Sequence, residues 1–313
     1  MLGAILAGMI ACSAVDCLGE PGHYSFPPGE YFFDRPVTLV ADPLDRYTVI
    51  EGAGPRLTTL HFTGDEFAFV LDGAAGVTFK DLSISISPEA KGALRLVDAN
   101  YNRLHNVIIE GSPASGTGIV LETVDSTTSH NAFDTLFLAN LGVGMTFDGD
   151  SNSNMFQDLT FQGAVQQPLQ LDGSTNTFVH MQVLHGDPAF FIGPNARSNS
   201  FISVTFDGPA RGIHAERGNT GNVFVGLTLT TRPTGAGASA LNFVSSSHSG
   251  RSSQAEHDVQ RKGTQLGPVT RDQLKDQPEG TIVYFSNCGR STSCARGRGA
   301  FAFKTPRGWV CAL

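Results

Sequence analysis

The chain has 313 residues, with 36 glycines and 22 phenylalanines against one tryptophan, and only 16% of it is charged. That balance disfavours long salt-laced helices and favours many short strands joined by turns. The formal charge is -8, and the few lysines and arginines are scattered or gathered near the C-terminus, so no basic stripe is offered to phosphates and nucleic acid is not an expected partner.

At the N-terminus Leu2, Ile5, Leu6 and Met9 fall on one face at helical spacing, which predicts a short amphipathic cap helix over about residues 1–20. No lysine or arginine precedes this apolar run, as a secretory leader would require. Elsewhere no stretch reaches the roughly 18 to 20 apolar residues of a membrane span. Cys12, Cys17, Cys288, Cys294 and Cys311 show no C-x-x-C spacing, so no zinc site is expected. A bridge among the last three would suit an extracellular chain.

From near residue 45 a repeat governs the sequence. An N-x-F-x-x-apolar-x-apolar phrase starts at Asn131, Asn154, Asn176, Asn199 and Asn222, at intervals of 23, 22, 23 and 23 residues. A weaker copy keeps the asparagine at Asn102, and two earlier ones keep only the apolar positions. Alternating apolar residues, such as Phe156, Leu159 and Phe161, read as a bend followed by a strand with one buried face. A second strand per coil runs through Ile119 and Leu121, Met145 and Phe147, Leu169 and Leu171, Phe190 and Ile192, Ile213 and Ala215, and Leu241 and Phe243. One such unit cannot bury its apolar face alone, so the units must stack. The expectation is an all-β, right-handed parallel β-helix of about seven or eight coils of 22 to 25 residues, occupying residues 1–245 with its cap. The repeated asparagine is expected to take the left-handed backbone of a sharp corner and to hydrogen-bond the next asparagine in the stack. Residues 246–275 read as a polar linker or covering loop, and 276–313 as a small antiparallel β-module.

The segment Phe26-Pro27-Pro28-Gly29-Glu30-Tyr31, followed by Val49-Ile50-Glu51-Gly52-Ala53-Gly54, resembles the opening of the pectate-lyase-like β-helix superfamily, where a helix caps the stack. That superfamily holds pectin and pectate lyases, polygalacturonases, epimerases, phage tailspike depolymerases and β-helices without known chemistry. The resemblance therefore implies a polysaccharide partner, an extracellular or virion-associated setting and, as in tailspikes, a homotrimer. The paired aspartates and G-H-G phrase of polygalacturonases are missing, His185-Gly186-Asp187 is no substitute for them, and there is no W-x-D-H phrase of pectate lyases.

In such a stack equivalent residues of successive coils lie about 4.8 Å apart and form outward columns. One column reads Asp72, Val97, Glu122, Asp148, Asp172, Gly193 and Glu216, with Glu122, Asp148 and Asp172 as consecutive acids. Carboxylates one or two coils apart would stand roughly 5 or 9.5 Å apart, near the retaining and inverting spacings of glycosidases. Mutual repulsion would keep one of them protonated, as a general acid requires. Each of Asp72, Asp148 and Asp172 is followed by glycine, so ordinary turns account for the same letters, and calcium is a third use. No other cofactor is expected. A second column carries Asn106, Thr135, Asp158, His180 and Ser203, pairing Asp158 with His180 as a candidate base, with a solvated surface pair as the plainer reading. His214, Glu216 and Arg211 are candidate substrate-binding residues, His214 and Glu216 joining the Asp172 column across Gly193. Tyrosine and tryptophan platforms are scarce on the coils, and the arginines do not align as a lyase would need. The functional expectation is a hydrolase or depolymerase acting on an extracellular glycan. A non-enzymatic glycan-binding or structural spike stands beside it, and a polysaccharide lyase is the third reading.

Overall fold

The computed structural model describes residues 22–41, 47–112, 116–163, 165–207, 212–229, 231–244, 247–248, 282–285, 300–305 and 308–312. The expected cap helix, the cysteine pairing and most of 246–275 lie outside the described residues.

Every strand pair up to His248 is parallel. One sheet runs in sequence order through Thr78–Ile86, Arg103–Glu110, Ala132–Ala139, Met155–Gln162, Thr177–Val183 and Ser200–Phe206. The other runs through eight strands, from Val37–Val40, Phe67–Asp72, Gly92–Val97 and Thr117–Glu122 to Val143–Phe147, Gln167–Leu171, Phe190–Ile192 and Ile213–Ala215. The chain is a parallel β-solenoid of about eight turns. Stacking begins one coil before residue 45, because His23–Phe26 already pairs with Val49–Gly52. The C-terminal strands Ile282–Phe285, Ala300–Thr305 and Gly308–Ala312 form an antiparallel sheet.

Each coil has three faces, because one residue folds the first sheet sharply in mid-strand. Asp81, Asn106, Thr135, Asp158, His180 and Ser203 occupy that position with φ between 53° and 57°, and Gly226 continues the column at 65°. The first face precedes this bend, the second follows it, and the other sheet is the third face. A second left-handed residue, such as His130, Ser153, Thr175 or Ser198, closes each coil. It stands one position before the repeated asparagine, so the expectation that the asparagine itself takes this backbone is corrected. The asparagine instead turns its amide inward. Asn131 donates from both its backbone N–H and its Nδ2 to Asn154 Oδ1, each at 3.0 Å, and Nδ2 also reaches the Ala99 carbonyl. The same pattern links Asn102 through Asn222, all at most 1% exposed.

The interior is filled like on like. Phe133, Phe156, Phe178, Phe201, Phe224 and Phe243 stack with ring centroids 4.4 to 5.2 Å apart. Phe243 thus tops the first-face ladder, in register with Phe224, and the expectation that Leu241 and Phe243 form the coil's second strand, on the third face, fails. In that last coil a bridge at Thr234 and a short 3-10 turn, Ala238–Ala240, take the strand's place.

Candidate active site

The acidic column lies where the period puts it. Leu121 pairs with Phe147 and Phe147 with Leu171, which sets Glu122, Asp148 and Asp172 one coil apart at the end of the third face. Backbone pairing holds each coil: the Asp148 N–H donates to the Leu121 carbonyl and the Asp172 N–H to the Phe147 carbonyl. The three acids line one groove of about 510 Å³ with Val120, Thr146, Gln167, Gln170, Phe191 and Pro194.

The three carboxylates are not equivalent. Glu122 Oε2 accepts from Arg95 Nε at 2.8 Å and from Arg95 Nη2 at 2.6 Å, a charge-assisted pair from the coil before. Arg95 is in register with Val120, beside the acidic column, and no other arginine shares that column among the described residues. Asp172 leans toward the following coil, where Oδ1 accepts the Asn195 N–H and Oδ2 accepts Asn195 Nδ2, both at 2.8 Å. Gly193 makes room for this, since a Cβ there would stand 2.3 Å from Asp172 Oδ1. Asp148 is exposed, and its carboxylate makes no hydrogen bond with the described residues. Its backbone carbonyl accepts from Ser151 Oγ at 2.7 Å, which fixes the turn beneath it. The turn reading thus holds for the backbone, while the Asp148 side chain is left over. Among the described residues no group of three or more histidine, cysteine, aspartate or glutamate side chains is placed to hold a metal ion. The tethers on Glu122 and Asp172 explain why this column does not converge into a calcium cage.

The remaining candidates separate. His180 Nδ1 and Asp158 Oδ1 are 3.2 Å apart, but both sit at the bend between the first and second faces, away from the acidic column. His214 does not join that column: it stands in register with Phe191, one column over, and Asp172 fills the space at Gly193. His214 Nδ1 is 3.2 Å from Thr234 Oγ1 and its Nε2 is 3.6 Å from Glu216 Oε1, and it lines a neighbouring hollow with Asp187, Thr231 and Arg232. Arg211 lies outside the described residues.

Three features went unread in the sequence. His105 Nδ1 and Asp134 Oδ2 are 2.8 Å apart on the first face, a pair visible as the third residue after Asn102 and Asn131. Asp98 accepts the N–H groups of Val124, Asp125 and Ser126 and so ties down the loop that lengthens this coil. Burial alone would raise the Asp98 carboxyl, and these three donors outweigh it and hold it below its ordinary range. Lastly, Phe191 points outward and stacks on His214 at 5.5 Å and 12°, an aromatic surface beside the acids that a search for tyrosine and tryptophan passes over.

Comparison with protein-family models finds no match, and neither does comparison with curated proteins. Among solved structures, the chain is similar to ORF18 of Geobacillus virus E2, with 13% identity over 100% of this chain and 72% of that one and a TM-score of 0.52. It is similar also to the catalytic domain of a GH87 alpha-1,3-glucanase in complex with tetrasaccharides, with 14% identity over 72% of this chain, 54% of that one and a TM-score of 0.45. A third likeness is to the A-module of the Azotobacter vinelandii mannuronan C-5 epimerase AlgE4, with 11% identity, 79% and 90% coverage and a TM-score of 0.31. The chain thus spans about half the length of the glucanase domain it matches. The fold, shared with ORF18, is a parallel β-helix.

Proposed function

We propose that the chain is a polysaccharide-active β-helix, a hydrolase working in the groove of the third face. The observation that carries this is the unequal state of three carboxylates in register: Asp148 is open to the groove, and its neighbours are held by Arg95 and Asn195. In this reading Asp148 gives its proton to the departing glycosidic oxygen as the anomeric C–O bond breaks. Asp172, fixed in orientation, takes a proton from the water whose oxygen bonds to that carbon. Asp172 is held toward Asn195 on the following coil, on the side away from Asp148, so this reading takes the wider carboxyl spacing of inverting enzymes, roughly 6.5–9.5 Å. Inversion at the anomeric carbon is the stereochemistry to test.

A lyase is disfavoured by Arg95, whose guanidinium is bound to Glu122 and so is not offered to a uronate carboxylate. A second reading, a glycan-binding or structural spike without turnover, is favoured by those same tethers, which suit structural roles. An extracellular or virion-borne homotrimer belongs to both readings, and a protein of Geobacillus virus E2 shares the fold. The test is release of reducing ends from a panel of bacterial surface glycans by the parent and by Asp148→Asn. We expect the substitution to lower turnover at least 100-fold, the order lost with a general acid, with little change in melting temperature. Equal turnover by both proteins would remove Asp148 from the mechanism, and no turnover by the parent on any glycan would leave the spike reading.

A further inference from the structure

The third face carries a second outward column beside the acids. Register pairs Val70 with Arg95, then Val120, Thr146, Gln170, Phe191 and His214 in successive coils, and a bridge adds Thr234. Phe191 borders the acidic groove, His214 borders the next hollow, and their rings are stacked. The two depressions are therefore neighbours along the helix axis with an aromatic pair as the ledge between them.

The charge of this surface is one-sided. Among the described residues, the groove is lined by Glu122, Asp148 and Asp172 and by no lysine or arginine. Arg95, behind it, is occupied by Glu122. Beyond the ledge come Asp187 and Glu216, with Arg232 as the cation lining that hollow among the described residues. Coulomb repulsion at one-coil separations penalises every added anion, and walls of low dielectric strengthen the penalty. Gln167, Gln170 and Thr146 instead offer neutral donors and acceptors of the kind that hydroxyl groups match.

We propose that the glycan this groove takes is an uncharged one, laid along the helix axis, with one sugar ring packed against Phe191 at the ledge next to Asp172. This rests on the glycan-active reading above and goes beyond it by naming the substrate class and its positioning residue. An apolar ring face is the surface against which the C–H face of a pyranose packs, and His214 behind Phe191 fixes the ring's orientation.

The experiment uses full-length Asp148→Asn, so that turnover does not remove the ligand, on an array of neutral and of uronate- or sialate-bearing bacterial glycans, followed by titration of the best ligand. We expect binding to neutral glycans, unaffected by salt between 50 and about 500 mM, since no ion pair is screened. Phe191→Ala in the same background should weaken binding at least 10-fold and Phe191→Tyr should retain it, with melting temperatures checked for all. Anionic glycans bound as tightly as neutral ones would overturn the substrate class. Phe191→Ala binding like its parent would overturn the platform. No glycan bound at all would instead remove the glycan-active reading on which both rest.

Discussion

At the scale of single residues, the site depends on where a carboxylate can lean. Asp172 reaches Asn195 in the space left by the missing side chain at position 193, so in the proposed mechanism Gly193 has a part even though it breaks the acidic column. Gly193→Ala would push a Cβ into the space held by Asp172 Oδ1 and turn the carboxylate back toward Asp148. The expected outcome is loss of most turnover, at least 10-fold, with a stability change of about 1 kcal/mol, because the site is at the surface. Kinetics beside a urea melt check it, and full activity would show that the orientation of Asp172 is irrelevant. Such facts were only half legible in the letters. The period alone places Glu122, Asp148 and Asp172 in one line. Which of them is free depends on partners from other coils, Arg95 27 residues and Asn195 23 residues away, and no motif records where those side chains point.

At the scale of the coil, the asparagine corner shows why the period is so plain in the sequence. Each coil leaves a backbone N–H, and the second lone pair of a carbonyl, pointing into a dry corner, and a buried donor without a partner costs about 1–3 kcal/mol. One inward amide satisfies both, accepting from one neighbouring coil while donating to another carbonyl, so the same residue is needed at every turn. The corner's left-handed residue is written less clearly, because Tyr101, His130, Ser153, Thr175 and Gly221 share a backbone conformation and no side-chain chemistry. Asn176→Ala should therefore be severe. It strands the Asn154 N–H and one hydrogen of its Nδ2, while the Ser151 carbonyl keeps the Ser174 N–H and Nδ2 keeps the Thr128 carbonyl, and a loss of about 2–4 kcal/mol is expected from two such donors. Asn176→Asp restores the acceptor but not the donor and should fall between. Chemical denaturation orders the three proteins, and a mild Asn176→Ala would mean that water enters the corner.

At the scale of the whole molecule, stacking makes stability a chain of coil-to-coil interfaces, so charges that tie neighbouring coils carry the response to pH. Two ties stand out near the N-terminal half. Glu51 pairs with Lys80 of the next coil and lies 2.9 Å from His23 of the coil before. The Lys80 hydrogen bond holds the Glu51 carboxyl below its ordinary value, burial opposes, and His23 adds to the lowering. Asp98, held low by the three N–H donors, ties its coil to the long loop of the next. A carboxyl depressed in the folded state binds fewer protons there than when unfolded, so its stabilisation is complete above the unfolded value, about 4, and is lost as pH falls through the lower folded value. The urea midpoint is therefore expected to be level from pH 7 to about 5 and to drop below about 4. Glu51→Gln and Asp98→Asn should each start lower at neutral pH and lose less on acidification, and hydrogen exchange should place the acid-induced opening of the parent in coils 23–130 before the phenylalanine ladder opens. If the parent and the Glu51→Gln, Asp98→Asn double variant instead decline in parallel, the acid response lies in other carboxylates, among them Glu122 and Asp134, which pair with Arg95 and His105 of the coil before.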